Sequence, residues 1–350
     1  MTRYLGGLIT KDESLVIPAN NFENTSAPGV WTLEEAQMLA KQGKWPTAGN
    51  ALTRAYWFAR TTTPNVHYSD ITTLGNTTDW GYSMRDDRAN YNCGTTSSAT
   101  RAVQCGYEYD AGQARSSNIE QLNLVTAGEG TNFGDLSVSG AQSNMGLGNG
   151  VRGIFTQGYL YPSANPSNVI EYVTIASAGD GTDFGDLTVG RVTTAAAFAS
   201  TTRGVFTGGS STAGKTNVMD YITIGSTGNA TDFGDTLAIM NGAAGCSNST
   251  RGIIAAGDNN SASQTNVIQY VTIASTGNAT DFGDLTGGGR YGAAGCSSTR
   301  ALIAADFVGN SSGIDYITIA STGNGTDFGD LLNNEVAGIS CASTAHGGLS

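Results

Sequence analysis

The sequence predicts an all-β chain: one six-bladed β-propeller behind a short N-terminal segment of different character. Three observations predict it, namely an internal repeat of 46 to 53 residues, a glycine-dominated composition, and β-type alternation inside each repeat. Repeats of that length imply stacked units, none of which buries its apolar face alone.

Three markers define the repeat. The segment TDFGDL, or a close variant, places an aromatic at Phe133, Phe184, Phe233, Phe282 and Phe328, with a degenerate TTDWG copy at Trp80. An arginine followed by an apolar run recurs at Arg54, Arg101, Arg152, Arg203, Arg251 and Arg300, as in TRGVFTGG and TRGIIAAG. Segments such as NVMDYITIGS and NVIQYVTIAS follow, alternating β-branched and aromatic residues with others as a half-buried strand does.

Each unit then reads as a strand (GVFTGG), a variable loop, a strand (VMDYITI), an Asp/Gly turn, a strand (FGDLTV) and a small-residue strand (AAGCSS). Four short strands are the content of one propeller blade. Units begin near residues 53, 100, 151, 202, 250 and 299, so the propeller is assigned to residues 51–350. The ending ASTAHGGLS repeats the slot before a seventh first strand, with Ala345 where the arginine would stand. It reads as the place where the last blade closes on the first and removes an open sheet edge.

Composition agrees. The chain has 49 glycines among 350 residues, 6 prolines and 13% charged residues, which favours many tight turns between short strands. With 29 acidic against 17 basic residues, the net charge of −12 argues against nucleic acid and anionic membranes as partners. No apolar run approaches the roughly 20 residues of a spanning helix, and MTRYLGGLITKDE lacks a secretory apolar region, so synthesis in a cytoplasm without export is expected. Cys246, Cys296 and Cys341 read as one slot in successive repeats, and Cys93 and Cys105 lie in a related unit; core packing explains them better than bridges.

Residues 1–50 carry no repeat. WTLEEAQMLAKQGKWP holds a helix signal, with Thr32 and Glu35 as a capping box, Gly43 as a stop and Pro46 forbidding continuation. So short a helix is marginal alone, and Trp31, Leu39 and Trp45 are expected to pack on the propeller, on a sister subunit or in a larger assembly.

Two resemblances follow from these residues. The strand ending in TGG, the tyrosine of DYITI and the aromatic after the next turn resemble the Kelch family of propeller repeats, over residues 53 to 343, with Phe where that family usually has Trp. GVWTLEEA followed by GKWP resembles the N-terminal region of tail and fibre proteins of tailed bacteriophages, especially phages of marine cyanobacteria. Glycine-rich YITIASTGNATDFGDL repeats are similar to those in proteins of such phages. These resemblances imply a virion tail or fibre protein whose first 50 residues dock to other tail proteins and whose propeller meets a host-surface receptor or polysaccharide. They imply a homo-oligomer as well, a trimer being common among fibres. A structural or decorating virion protein without a receptor is the alternative.

Candidate chemistry is sparse. The pairs Asp183/Asp186, Asp232/Asp235, Asp281/Asp284 and Asp327/Asp330 suit either a hard cation such as calcium or the capping of tight turns, and turn capping is the simpler reading. Six equivalent arginines beside these aspartates suggest repeated ion pairs within or between blades. His67 and His346 are the chain's 2 histidines, and no metalloprotease, nucleophile-elbow or phosphate-loop motif occurs, so no enzyme, metal or cofactor is expected. Binding remains, and the loops after each first strand vary most. Tyr107, Tyr109, Tyr159 and Tyr161 there offer aromatic planes beside polar groups, which suits sugar rings as well as protein surfaces.

Overall fold

The computed structural model describes residues 53–58, 66–81, 93–106, 117–138, 141–142, 144–160, 165–192, 196–259, 263–305, 312–332 and 338–345. Two compact units divide the chain, Met1–Leu52 and Thr53–Ser350. The N-terminal helix signal, with Trp31, Leu39 and Trp45, lies outside the described residues.

The second unit is a six-bladed β-propeller, and among the described residues it has no helix. From the inside outward, blade 2 is Gly94–Ser97, Arg101–Cys105, Asn118–Asn123 and Thr131–Asp135. Blade 3 is Gly146–Gly148, Arg152–Thr156, Val169–Thr174 and Thr182–Asp186. Blade 4 is Ala197–Ala199, Arg203–Thr207, Val218–Thr223 and Thr231–Asp235. Blade 5 is Ala244–Ser247, Arg251–Ala255, Thr265–Thr272 and Thr280–Gly289; blade 6 is Ala293–Cys296, Arg300–Ala304, Gly313–Thr318 and Thr326–Asp330. Every pairing is antiparallel.

The phase of the repeat differs by one strand from the unit read in the sequence. Each small-residue strand crosses to the next blade and becomes its innermost member. Only short side chains fit where six strands converge on an axis, so the small residues belong at the centre of a blade rather than at its outer end. The last such strand, Ser340–Ser343, pairs with Arg54–Phe58 and completes blade 1 with Val66–Asp70 and Thr78–Asp79. Closure thus joins the two ends of the propeller in one sheet. Its geometry copies the ordinary inner turn: Arg54 N–H donates to Thr344 Oγ1 at 3.0 Å, as Arg152 N–H donates to Asn149 Oδ1 and Arg300 N–H to Ser297 Oγ.

The core lies between blades. Ile154, Phe155, Val205, Phe206, Ile253, Ile254, Leu302 and Ile303 from the second strands are fully buried; Ile154, Val205, Ile253 and Leu302 pack toward the following blade, and Phe155, Phe206, Ile254 and Ile303 toward the preceding one. In four blades the tyrosine of the third strand meets the phenylalanine of the outer strand edge to face, with ring centres 6.0 to 6.2 Å apart. Tyr68 and Trp80 do the same in blade 1 at 5.6 Å.

The outer seam explains TDFGDL. Gly228 N–H donates to Phe184 O, Ala230 N–H donates to Asp186 O, and Asn229 Oδ1 accepts from Asp186 N–H, so the turn of blade 4 zips onto the outer strand of blade 3. Blades 4 to 5, 5 to 6 and 6 to 1 repeat this with Asn278, Asn324 and Asn76. A Cβ on Gly234 would stand 2.6 Å from Gly277 O, and its φ is +139°, so the residue after the phenylalanine must be glycine.

Candidate binding face

Two ends of the blades differ. At one end lie the short turns into each arginine and the Asp/Gly turns of the seam. At the other end the second strands stop, the variable loops begin, and the links to the next blade depart. The antiparallel order places all of these loop roots on one face.

On that face several hairpins pair with the preceding link. Tyr159–Leu160 lies between Asn165–Pro166 and Ala141–Gln142, the last from the link out of blade 2. Ser210–Ser211 pairs with Gly214–Lys215 and touches Val192, while Asp258 bridges Asn241 and Gln264. Backbone bonds between links continue the layer: Tyr291 N–H donates to Gly242 O, and Gly338 N–H to Tyr291 O.

A charged cluster joins two blades there. Lys215 Nζ donates to Asp258 Oδ1 at 2.5 Å and to Asn259 O at 2.6 Å, and Arg290 Nη1 is 3.6 Å from Asp258 Oδ2. Asp258 is buried and both cations are partly open to solvent, so the cluster shows positive charge on an otherwise acidic chain.

The seam below this face holds a second set of polar residues. His67, Glu120, Glu171, Asp220, Gln269 and Asp315 share one position of the third strand and are all buried. Glu171 Oε1 accepts from Ser137 N–H, Gln269 Oε1 from Leu237 N–H, and Asp315 from both the N–H and hydroxyl of Thr286. Each buckles its blade to the link leaving the blade before. Burial pushes the Asp315 carboxyl up, against the pull of its Thr286 bonds. Asp220 accepts from Thr188 Oγ1 and pairs with the fully buried Arg191, which also donates to Val218 O. Burial pushes the Arg191 guanidinium down and Asp220 opposes it. His67 is pushed down by burial, with Asp79 opposing.

Three sequence expectations are corrected by this geometry. The six arginines do not pair with the Asp-rich turns. Arg101, Arg152, Arg203, Arg251 and Arg300 donate through Nη1 to a carbonyl of the following blade, that of Ile175, Ile224, Ile273, Ile319 and Ile71 respectively. Most lie over the tyrosine of their own blade, Arg203 at 4.4 Å from the Tyr221 ring centre. A carbonyl left over at a strand end needs a donor, and a planar cation satisfies carbonyl and ring together. In blade 1, Arg54 lies over Tyr68, and the hydroxyl of Tyr56 donates to Leu124 O in its stead.

The second correction concerns the cysteines, which occupy three register positions rather than one. Cys246 pairs with Ile253, Cys296 with Ala301 and Cys341 with Trp57; the shortening of SNST before Arg251 to SST before Arg300 accounts for the first two. The third is the phase of the blade given above.

Of the four tyrosines, Tyr159 is half-buried in its hairpin, and Tyr107, Tyr109 and Tyr161 lie outside the described residues. Asp183, Asp232, Asp281 and Asp327 are exposed at the outer strands. Among the described residues no three His, Cys, Asp or Glu side chains converge to hold a metal ion. The sequence reading missed Lys215, Asp258, Arg290 and the buried polar ring. A polar residue recurring just before the tyrosine of the third strand was the signal available for the ring. No protein-family model matches the chain, and no curated protein matches it.

Proposed function

We propose that the protein is a phage virion tail or tail-fibre component whose propeller binds the host cell surface. Residues 1–50 dock it to other tail proteins, and the variable-loop face is the receptor face, with polysaccharide the ligand class that its tyrosines suit. The observation that carries this reading is the division of labour between the two ends. The repeated arginines and asparagines hold one blade to the next at one end, whereas the unrepeated loops gather at the other. Variable segments on a rigid repeat scaffold are where recognition resides. The phage-like N-terminal pattern and the YITIAS repeats supply the virion part of the reading.

The test is binding of the labelled protein to candidate host cells. Saturable binding is expected to survive loss of residues 1–50 and to fall at least tenfold when residues 159–166 are replaced by Gly/Ser. A folded protein that binds no host cell would replace the receptor role with a structural or decorating role in the virion.

A further inference from the structure

We propose that Cys246 and Cys296 form a two-electron oxidation site, closing a disulfide between neighbouring inner strands that joins blades 5 and 6 covalently. This inference is independent of the receptor reading.

The register sets the pair. Cys296 occupies the position that Ser247 holds in blade 5, and Cys246 the position of Gly295 in blade 6, so the two thiols are diagonal neighbours across one seam. Cys296 Sγ donates to Ser247 O at 2.8 Å, which brings it beside the residue following Cys246, and the two cysteines lie in one buried cluster between blades 5 and 6. A third thiol is close: a Cβ on Gly295 would stand 2.7 Å from Cys341 Sγ. All three line one cavity of about 70 Å³ along the propeller axis, together with Thr96 and Ser247, which gives a small oxidant room beside them. Cys341 is partly exposed.

A hydroperoxide is the class of oxidant that fits. One sulfur, as thiolate, attacks a peroxide oxygen; the O–O bond breaks, and a sulfenic acid and water result. The second sulfur attacks the first, the S–O bond breaks, and a second water leaves with the remaining proton. Two thiols and one hydrogen peroxide thus give one disulfide and two waters, each sulfur giving up one electron. The neighbouring Cys296 thiol and then burial hold Cys246 well above the usual thiol range, so the reaction is slow near neutrality and accelerates with pH.

The position of Cys296 supplies a conservative variant. Ser97, Ser247 and Ser343 occupy the same place and donate to the carbonyl of Ser343, Ala199 and Cys296, one blade back. Cys296→Ser therefore keeps that hydrogen bond and removes the sulfur.

The full-length protein is treated with hydrogen peroxide, free thiols are alkylated, and unreduced peptides are examined by mass spectrometry. Expected is a linked pair containing Cys246 and Cys296, reversed by dithiothreitol, absent in Cys296→Ser and retained in Cys341→Ser. A rise in thermal midpoint that reductant reverses accompanies it in the parent and not in Cys296→Ser. Cys246→Ala repeats the comparison should Cys296→Ser fail to fold. Thiols that stay alkylatable, sulfinic acids at these positions, or a linked pair joining other cysteines would each overturn the proposal.

Discussion

Among the described residues, Arg203 uses its charge without a counter-ion. Its guanidinium lies over Tyr221 while Nη1 reaches Ile273 O at 2.9 Å, so one planar group covers a ring in blade 4 and a strand-end carbonyl in blade 5. Lysine keeps the charge but cannot do both at fixed geometry. Arg203→Ala is expected to lower unfolding free energy by about 1–3 kcal/mol, and Arg203→Lys to recover less than half of that, as read by urea denaturation. Equal stability of the lysine variant and the parent would mean that bulk charge suffices. His67 makes a pH prediction at the same scale. Its folded value lies below the ordinary 6.5, so in the interval between them the unfolded chain binds the proton that the fold refuses. Stability from this residue is complete above about 6.5 and is lost as pH falls toward the folded value. His67→Gln should flatten the decline in stability as pH falls below about 6.5, and an unchanged slope would assign that decline to other groups.

At the scale of elements, seam chemistry is uneven, and Arg191 with Asp220 is its extreme case. Both side chains are fully buried between blades 3 and 4, whereas the matching acceptor in blade 5 is the neutral Gln269. Removing one partner leaves a buried charge, so Asp220→Ala is expected to cost about 3–5 kcal/mol, and Arg191→Met combined with Asp220→Leu to regain most of it. A double variant no better than the single would show that the pair's other bonds, to Thr188 and Val218, dominate. The strands themselves were legible, because period-two alternation and TDFGDL or a variant of it recur from unit to unit. Their phase was not, since a strand at the end of one repeat and a strand at the start of the next blade have the same sequence; only pairing distinguishes them. The role of the arginines was misread because their acceptors are backbone carbonyls, which no sequence motif marks. The binding face is the least legible element: its hairpins pair with links 17 to 19 residues away, as Tyr159 does with Gln142, and those links differ from blade to blade.

For the whole molecule, the decisive contact is the closure of the ring. Ser340–Ser343 is a short strand, yet without it the edge of Arg54–Phe58 is unpaired and the fully buried Ala55 and Trp57 lose cover. Loss of residues 340–345 should therefore abolish the cooperative thermal transition rather than lower its midpoint, because nearest-neighbour seams on both sides of blade 1 go together. Closure is also where the chain most resembles a continuous turn: Thr344 N–H donates to Arg54 O at 3.0 Å and Thr344 Oγ1 accepts from Arg54 N–H. A permutant of residues 53–345 that joins 345 to 53 through a few glycines, with new ends at the exposed turn Asn248–Thr250, should fold with a midpoint within about 5 °C of the parent, since it exchanges one turn for another. If it folds while the truncated chain does not, stability resides in ring closure itself, whichever turn is covalent. If both fail, the inner turns differ in more than their hydrogen bonds, and the turn before Arg251 becomes the first place to look.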